Sequence, residues 1–168
     1  QSAKARLIIG SVTGITPTDR TIQIDNLPEI GFDVCSVDVG ITSDMPALPG
    51  FAENAVPAKP LGRFAAKWDA FRKKDGPTTV AVIGGGVAGT ELAMAMAHAL
   101  AQRKRSATIH LIDNGTVLSA LPVKSAAKLR SAMQTLNIIL HDHEQITHHG
   151  KNKVHLDDGG TITASFIT

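Results

Sequence analysis

The run Thr78–Glu91, TTVAVIGGGVAGTE, constrains this chain more than any other stretch. Val80, Ala81, Val82 and Ile83 make a short, unbroken apolar run, the pattern of a parallel strand buried on both faces. Gly84, Gly86 and Gly89 follow in G-x-G-x-x-G spacing. The first glycine permits a tight exit from the strand, and the second leaves the backbone open to a phosphate. The third lets the next helix press closely on the sheet. That helix is predicted over Val87–Gln102, rich in Ala, Leu and Met, with its free N–H groups and positive dipole end at the glycine turn. A second apolar strand, Thr108–Ile112, ends in Asp113, an acid suited to accept both hydroxyls of a ribose. The competing reading is a glycine-rich turn in an ordinary α/β domain. The complete strand, turn, helix and acid-ended strand weigh against it, so a dinucleotide site is expected at Gly84, Gly85, Gly86, Val87, Ala88, Gly89 and Asp113.

The rest of the chain fits around that unit. Arg6–Gly10, Val12–Thr16 and Thr21–Asp25 read as short strands, with Asn26–Gly31 as a turn region and Phe32–Val39 as a strand running into a larger sheet. Residues 41–60 carry Pro46, Pro49, Pro57 and Pro60 without periodicity, the mark of a linker or surface loop. From Leu61, the residues Leu61, Phe64, Ala65, Trp68 and Phe71 share one helical face, and Gly76–Pro77 closes the segment. Beyond Asp113 a helix is expected from Pro122 to about Leu136, with Ala126, Leu129, Met133 and Leu136 inward. A third parallel strand follows over Asn137–Leu140, then an antiparallel meander of Gln145–His149, Lys153–Leu156 and Thr161–Ile167. The fold class is therefore α/β: a Rossmann-like βαβαβ parallel sheet with a β-meander, preceded by a β-rich remnant. The expected division is 1–45, a linker and amphipathic helix over 46–76, and 77–168 as the nucleotide-binding domain.

Several function classes are excluded by composition. A net charge of +2 and 4% aromatic residues give neither the basic footprint nor the stacking surface of a nucleic-acid binder. No apolar stretch is long enough to span a bilayer; the longest, Leu92–Leu100, is interrupted by His98. The single cysteine, Cys35, rules out an internal disulfide framework, and with nothing nearby to activate it a buried, inert thiol on a strand is expected. The first residues carry no secretory signal pattern, and a cytoplasmic location is the default. The chain opens on Gln1 and closes on the apolar Phe166–Ile167–Thr168, ends that are expected of a piece of a longer protein.

With these elements in place, residues 33–168 resemble the pyridine nucleotide-disulfide oxidoreductase superfamily, in its type II NADH dehydrogenase-like branch. The resemblance runs through DVCSVDVG (Asp33–Gly40), VIGGGVAGTELA (Val82–Ala93) and LIDNG (Leu111–Gly115), and VPAKPLGRFAAKW (Val56–Trp68) is similar to a subgroup fused to selenophosphate synthetase. It implies a nicotinamide-cofactor domain inserted within an FAD domain. Asp38 and Gly40 then fall where the chain touches the flavin domain, and Lys59 near the flavin-proximal loop. This chain departs from the family pattern in holding one fingerprint rather than two and no C-x-x-x-x-C redox pair. The resemblance implies an FAD-dependent parent that passes hydride from NADH to flavin and on to an unidentified acceptor, a small molecule or a protein. The other flavin-domain segments of the same chain are then obligatory partners, and peripheral membrane association of the parent is compatible with the branch. The portion represented here is expected to be inactive alone.

Individual residues carry competing readings. Asp113 at a strand end favours NAD(H) over NADP(H), whose extra phosphate meets a carboxylate. Arg103, Lys104 and Arg105 in the preceding loop can soften that preference, against the simpler reading of cations at a helix C-terminus. Glu91, expected in the first helical turn, either answers the helix dipole or, as the resemblance implies, faces the nicotinamide ring as the one catalytic candidate. His141 and His143 share a strand face, but without Cys partners and with the remaining histidines on a hairpin, no metal site is expected. Trp68 reads as a core residue. A different class of function, a non-catalytic module that senses NAD(H), stays open. A stand-alone dehydrogenase is not expected, since the sequence holds no substrate domain after the meander and no tyrosine for a Tyr–Lys relay.

Overall fold

The computed structural model describes residues 5–38 and 47–168, in two compact units, Gln1–Ile41 and Thr42–Thr168. The first unit is a three-stranded antiparallel sheet, β1 (Val12–Thr16), β2 (Thr21–Ile24) and β3 (Ile30–Gly31), in that order. The strand expected over Phe32–Val39 does not form across its described part, and β3 lies instead inside the expected turn region. A strand needs a paired edge and a face to bury, and Val34 remains 90% exposed. Arg6–Gly10 is likewise irregular. Cys35, expected on a strand and buried, is a free, half-buried thiol in this irregular segment. Val39, Gly40 and the expected boundary at 45/46 lie outside the described residues.

The second unit is built on a four-stranded parallel sheet. Its elements are α1 (Phe51–Asn54), α2 (Leu61–Arg72), β4 (Thr78–Ile83), α3 (Val87–Gln102), β5 (Ala107–Ile112), α4 (Val123–Thr135) and β6 (Ile138–His141). They are followed by β7 (Ile146–Gly150), β8 (Lys153–Leu156), β9 (Thr161–Thr163) and β10 (Phe166–Ile167). The sheet order is β10-β4-β5-β6, and β7-β8-β9 form the antiparallel meander. The expected last meander strand is thus split. Thr161–Thr163 stays in the meander, while Phe166 and Ile167 cross to pair in parallel with Val80 and Ala81 of β4.

The unbroken apolar run of β4 is explained by what covers its two faces. Val80 and Val82 join Ala93, Met96 and Leu100 of α3, Met133 of α4 and Phe64 and Phe71 of α2 in one core. Ala81 and Ile83 turn the other way, onto a second core with Ile146, Val154, Leu156 and Ile162 of the meander and Phe51 of α1. Each fully buried side chain such as Leu100 or Met96 contributes about 1.5–3 kcal/mol on leaving water. Phe166 closes the helix-side core, 4.9 Å from Phe71, 5.5 Å from Trp68 and 6.2 Å from Phe64 by ring centroids. Trp68 is accordingly half-buried at the edge of that core.

Local signals set the helix limits. Gly86 is the N-cap of α3, and Pro122 is the N-cap of α4 rather than its first residue. Met133 is the one fully buried residue of α4, while Ala126, Leu129 and Leu136 pack on the core half-buried. Asn137, at φ 56°, takes the left-handed conformation that ends α4, a position asparagine tolerates well. The segment expected as a linker or surface loop contains α1, whose Phe51 is buried edge-on to His149 at 5.2 Å.

Candidate functional site

In an open parallel sheet the crevice beyond the carboxyl ends of the strands is the natural binding position. Here that place holds a cleft of about 280 Å³ lined by Ile83, Gly84, Ile112, Asp113, Glu144 and Gln145, among others. The lining comes from the ends of β4 and β5 and from the loop after β6, so the sheet itself assembles it.

The glycines of the turn have distinct environments. Gly84 has φ +100°, a left-handed conformation that a side chain strains. A Cβ on Gly89 falls 1.8 Å from the Gly84 carbonyl oxygen, so α3 meets the strand exit backbone to backbone. A Cβ on Gly86 meets nothing within 4 Å, and Gly86, Val87 and Ala88 are exposed. Thr90 donates its N–H to the Gly86 carbonyl at 3.0 Å. The N–H groups of Val87, Ala88 and Gly89 therefore lie ahead of the helical ladder, where a helix has donors to offer. Gly85 differs from its neighbours: it is buried, donates its N–H to Asp113 Oδ2 at 2.5 Å, and accepts from the Leu118 N–H at 2.8 Å. A Cβ there falls 2.7 Å from Val117 Cγ2. Gly85 braces the loop.

Asp113 lies at the end of β5 as expected, half-buried, and its second oxygen accepts the Gly115 N–H at 2.7 Å. Its carboxylate therefore ties the glycine turn to the following loop as well as lining the cleft. Two further bonds join this loop to the end of β6. Asp113 donates its N–H to the His141 carbonyl at 3.0 Å, and Glu144 donates its own to the Asp113 carbonyl at 2.9 Å. Asp142 completes the brace, accepting from the Val117 N–H at 2.7 Å and paired with both terminal nitrogens of Arg130. That guanidinium holds the Asp142 carboxyl below its usual range.

Other expected site residues fall elsewhere. Glu91 is the fifth residue of α3, exposed and in the second turn rather than the first, which weakens the dipole reading. Asp38 is exposed at the end of the described part of the first unit, and Gly40 lies outside the described residues. Arg103, Lys104 and Arg105 flank the amino-terminal end of β5, where they line a separate cleft with Lys74, Asp75 and Gly76. Six residues of strand, roughly 20 Å, separate them from Asp113. They therefore have no part in the cleft at Asp113. Arg103 caps α3, and Arg105 donates to the carbonyls of Gly76 and Phe71.

The histidine pair also differs from expectation. His141 ends β6, whereas His143 lies beyond it at φ 60°, so the two share no strand face. His141 Nε2 instead meets His110 Nδ1 at 2.8 Å, and burial holds His110 below its usual pKa. Among the described residues no group of three or more His, Cys, Asp or Glu gathers as metal ligands, and no helix is long and apolar enough to cross a membrane. Glu144 and Gln145 are among the lining residues not expected from the sequence. Their signal was available: they follow the third parallel strand, whose end must face the same crevice as Asp113.

Solved structures share this architecture. A ferredoxin reductase for the CYP199A2 system from Rhodopseudomonas palustris aligns over 95% of this chain and 39% of its own, at 16% identity and TM-score 0.71. An FAD-dependent pyridine nucleotide-disulphide oxidoreductase from Desulfovibrio vulgaris aligns over 93% and 41%, at 19% identity and TM-score 0.65. NDH2 from Plasmodium falciparum, solved in complex with NADH, aligns over 94% and 39%, at 16% identity and TM-score 0.65. The chain thus spans about two-fifths of these relatives, and at such identities the likeness is one of fold. Among curated proteins no sequence relative matches. The family model for pyridine nucleotide-disulphide oxidoreductases matches residues 1–168. The glycine turn and the acid-ended strand thus stand in the setting their spacing implied, and the chain belongs to the pyridine nucleotide-disulphide oxidoreductase family.

Proposed function

We propose that this chain supplies the nicotinamide-dinucleotide-binding portion of an FAD-dependent NAD(P)H oxidoreductase. The observation that carries the reading is the turn at Gly86: open above its Cα, at the start of α3, and two residues beyond Gly84, which lines the cleft together with Asp113. A pyrophosphate needs close backbone approach and unpaired N–H donors, and Gly86 with Val87, Ala88 and Gly89 offers both. Gly84 and Gly89 hold the turn and helix at the required separation. Gly85 and Asp113 hold the loop, and the remaining acceptor capacity of Asp113 is directed to the ribose hydroxyls.

On this reading Glu91 orients the nicotinamide end, and Asp38 and Gly40 belong to the contact with flavin. Residues 1–45 are then part of the FAD-binding domain, 46–76 the connection, and 77–168 the nucleotide-binding domain. The sheet and glycine turn within 77–168 support that last assignment. Bound NADH would supply the hydride, and FAD in the full-length protein would carry the electrons to a small-molecule or protein acceptor. The type II NADH dehydrogenase-like branch, a cytoplasmic location and any peripheral membrane contact belong to the same proposal.

Calorimetric titration with NADH and NADPH tests it, using the full chain and Asp113→Ala. The expected result is NADH binding that exceeds NADPH binding, with the preference reduced in the variant. Folded protein that binds neither nucleotide would overturn the reading.

A further inference from the structure

Resting on the proposed nucleotide site, we infer that Glu144 is a second specificity determinant, acting with Asp113 to close the cleft to dinucleotides that carry a phosphate on the ribose. Glu144 follows β6, the strand next to β5, and lines the same cleft as Asp113. Its backbone is held there. Its N–H bonds the Asp113 carbonyl, the His143 N–H bonds the Gly115 carbonyl at 2.9 Å, and Thr116 Oγ1 meets His143 Nε2 at 3.0 Å.

The three carboxylates around this end of the sheet have different partners. Asp142 is neutralised by Arg130. Asp113 accepts two backbone N–H groups, which occupy part of its acceptor capacity. The half-buried Glu144 side chain has neither an ion pair nor a hydrogen bond among the described residues. Among the described residues no lysine, arginine or histidine lines the cleft, and the Arg103–Arg105 cluster belongs to the opposite end of the sheet. A hydroxyl or amino group entering here finds a free acceptor. A phosphate finds two negative charges with no cation to offset them.

Asp113 and Glu144 separate in their structural consequences. Replacing Asp113 also releases the N–H groups of Gly85 and Gly115, so it disturbs the turn together with the charge. Glu144→Gln changes the charge alone and is the cleaner reporter. The experiment is calorimetric titration of the full chain with NADH and with NADPH, for the wild type, Asp113→Asn, Glu144→Gln and the double variant, at low and high salt. Glu144→Gln is expected to shift the ratio of NADPH to NADH affinity about five- to twentyfold toward NADPH, and the shift is expected to shrink at high salt. The double variant is expected to discriminate least. NADH binding with an unchanged NADPH ratio in Glu144→Gln would overturn this inference and leave the functional reading standing. Loss of NADH binding by folded wild-type protein would overturn both.

Discussion

Alanine at Gly86 and alanine at Gly89 add the same methyl group three residues apart, and the two variants are expected to fail in different ways. At Gly89 the new Cβ falls 1.8 Å from the Gly84 carbonyl oxygen and 3.0 Å from its carbon. Close carbon–oxygen contacts lie near 3.3 Å, so α3 must withdraw by roughly 1.5 Å. The obstacle is backbone, so no rotamer change relieves it. Withdrawal loosens Ala93, Met96 and Leu100, which are all but fully buried against the sheet. Overpacking of this kind costs about 1–3 kcal/mol, and here the rigid partner places it at the upper end. The better helix propensity of alanine returns up to about 1 kcal/mol. A net loss of about 2 kcal/mol lowers the unfolding midpoint of a chain this size by about 4–8 °C. At Gly86 the backbone has φ −69° and ψ −178°, open to any residue, and the Cβ touches nothing. Gly86→Ala should therefore stay within about 1 kcal/mol of wild type, the scale of a weakened N-cap. In the proposed function its methyl group stands where the pyrophosphate approaches, so NADH affinity is expected to fall at least about tenfold, or 1.4 kcal/mol. Urea unfolding and calorimetric titration of both variants check the pair. Unweakened NADH binding by Gly86→Ala, or wild-type stability in Gly89→Ala, would refute the reasoning.

Two further outcomes concern stability. His149 is 3% exposed, neither ring nitrogen has a partner among the described residues, and burial followed by the charges of His148 and His155 lowers its pKa. Below about pH 6.5 the unfolded chain takes up a proton that folded His149 resists, so stability declines as the pH falls, by up to about 1.4 kcal/mol per unit for one group. The half-buried His110, shifted the same way, adds to the trend. Urea unfolding at pH 7.5 and 5.5 should show a smaller loss in His149→Gln than in wild type, and equal losses would dismiss the assignment. The Arg130–Asp142 pair anchors the loop after β5 to α4, with side chains 31% and 26% exposed. Asp142→Ala is expected to cost about 1–2 kcal/mol at neutral pH, discounted for partial exposure. Since the Asp142 pKa is lowered, that contribution is present above its ordinary value and disappears as the pH falls through the folded one. A loss under about 0.5 kcal/mol at pH 7 would remove the pair from the list of anchors.

What could be read without coordinates was whatever local spacing determines. The limits of α3 agree with its expected range to the residue, because a glycine turn before it and a run of Arg and Lys after it mark both ends. The parallel alignment of β4, β5 and β6 follows from the two helical crossovers between them, which leave few other topologies. Phe166 and Ile167 had no such signal. Two residues show no periodicity, and their partner, β4, lies more than eighty positions away, so only the gap beside Val80 and Ala81 gives them a place. Val34 and Val37 show the converse: their composition favours a strand, yet in the described structure no neighbour pairs with them and both stay exposed. The site divides in the same way. Asp113 was visible as an acid ending a strand, but the bonds from Gly85 and Gly115 that occupy both its oxygens were not. Those bonds give Asp113 a structural duty in addition to the proposed ribose contact. Any change at Asp113 therefore mixes lost recognition with a loosened turn, and the unpaired Glu144 beside it is where recognition can be measured separately.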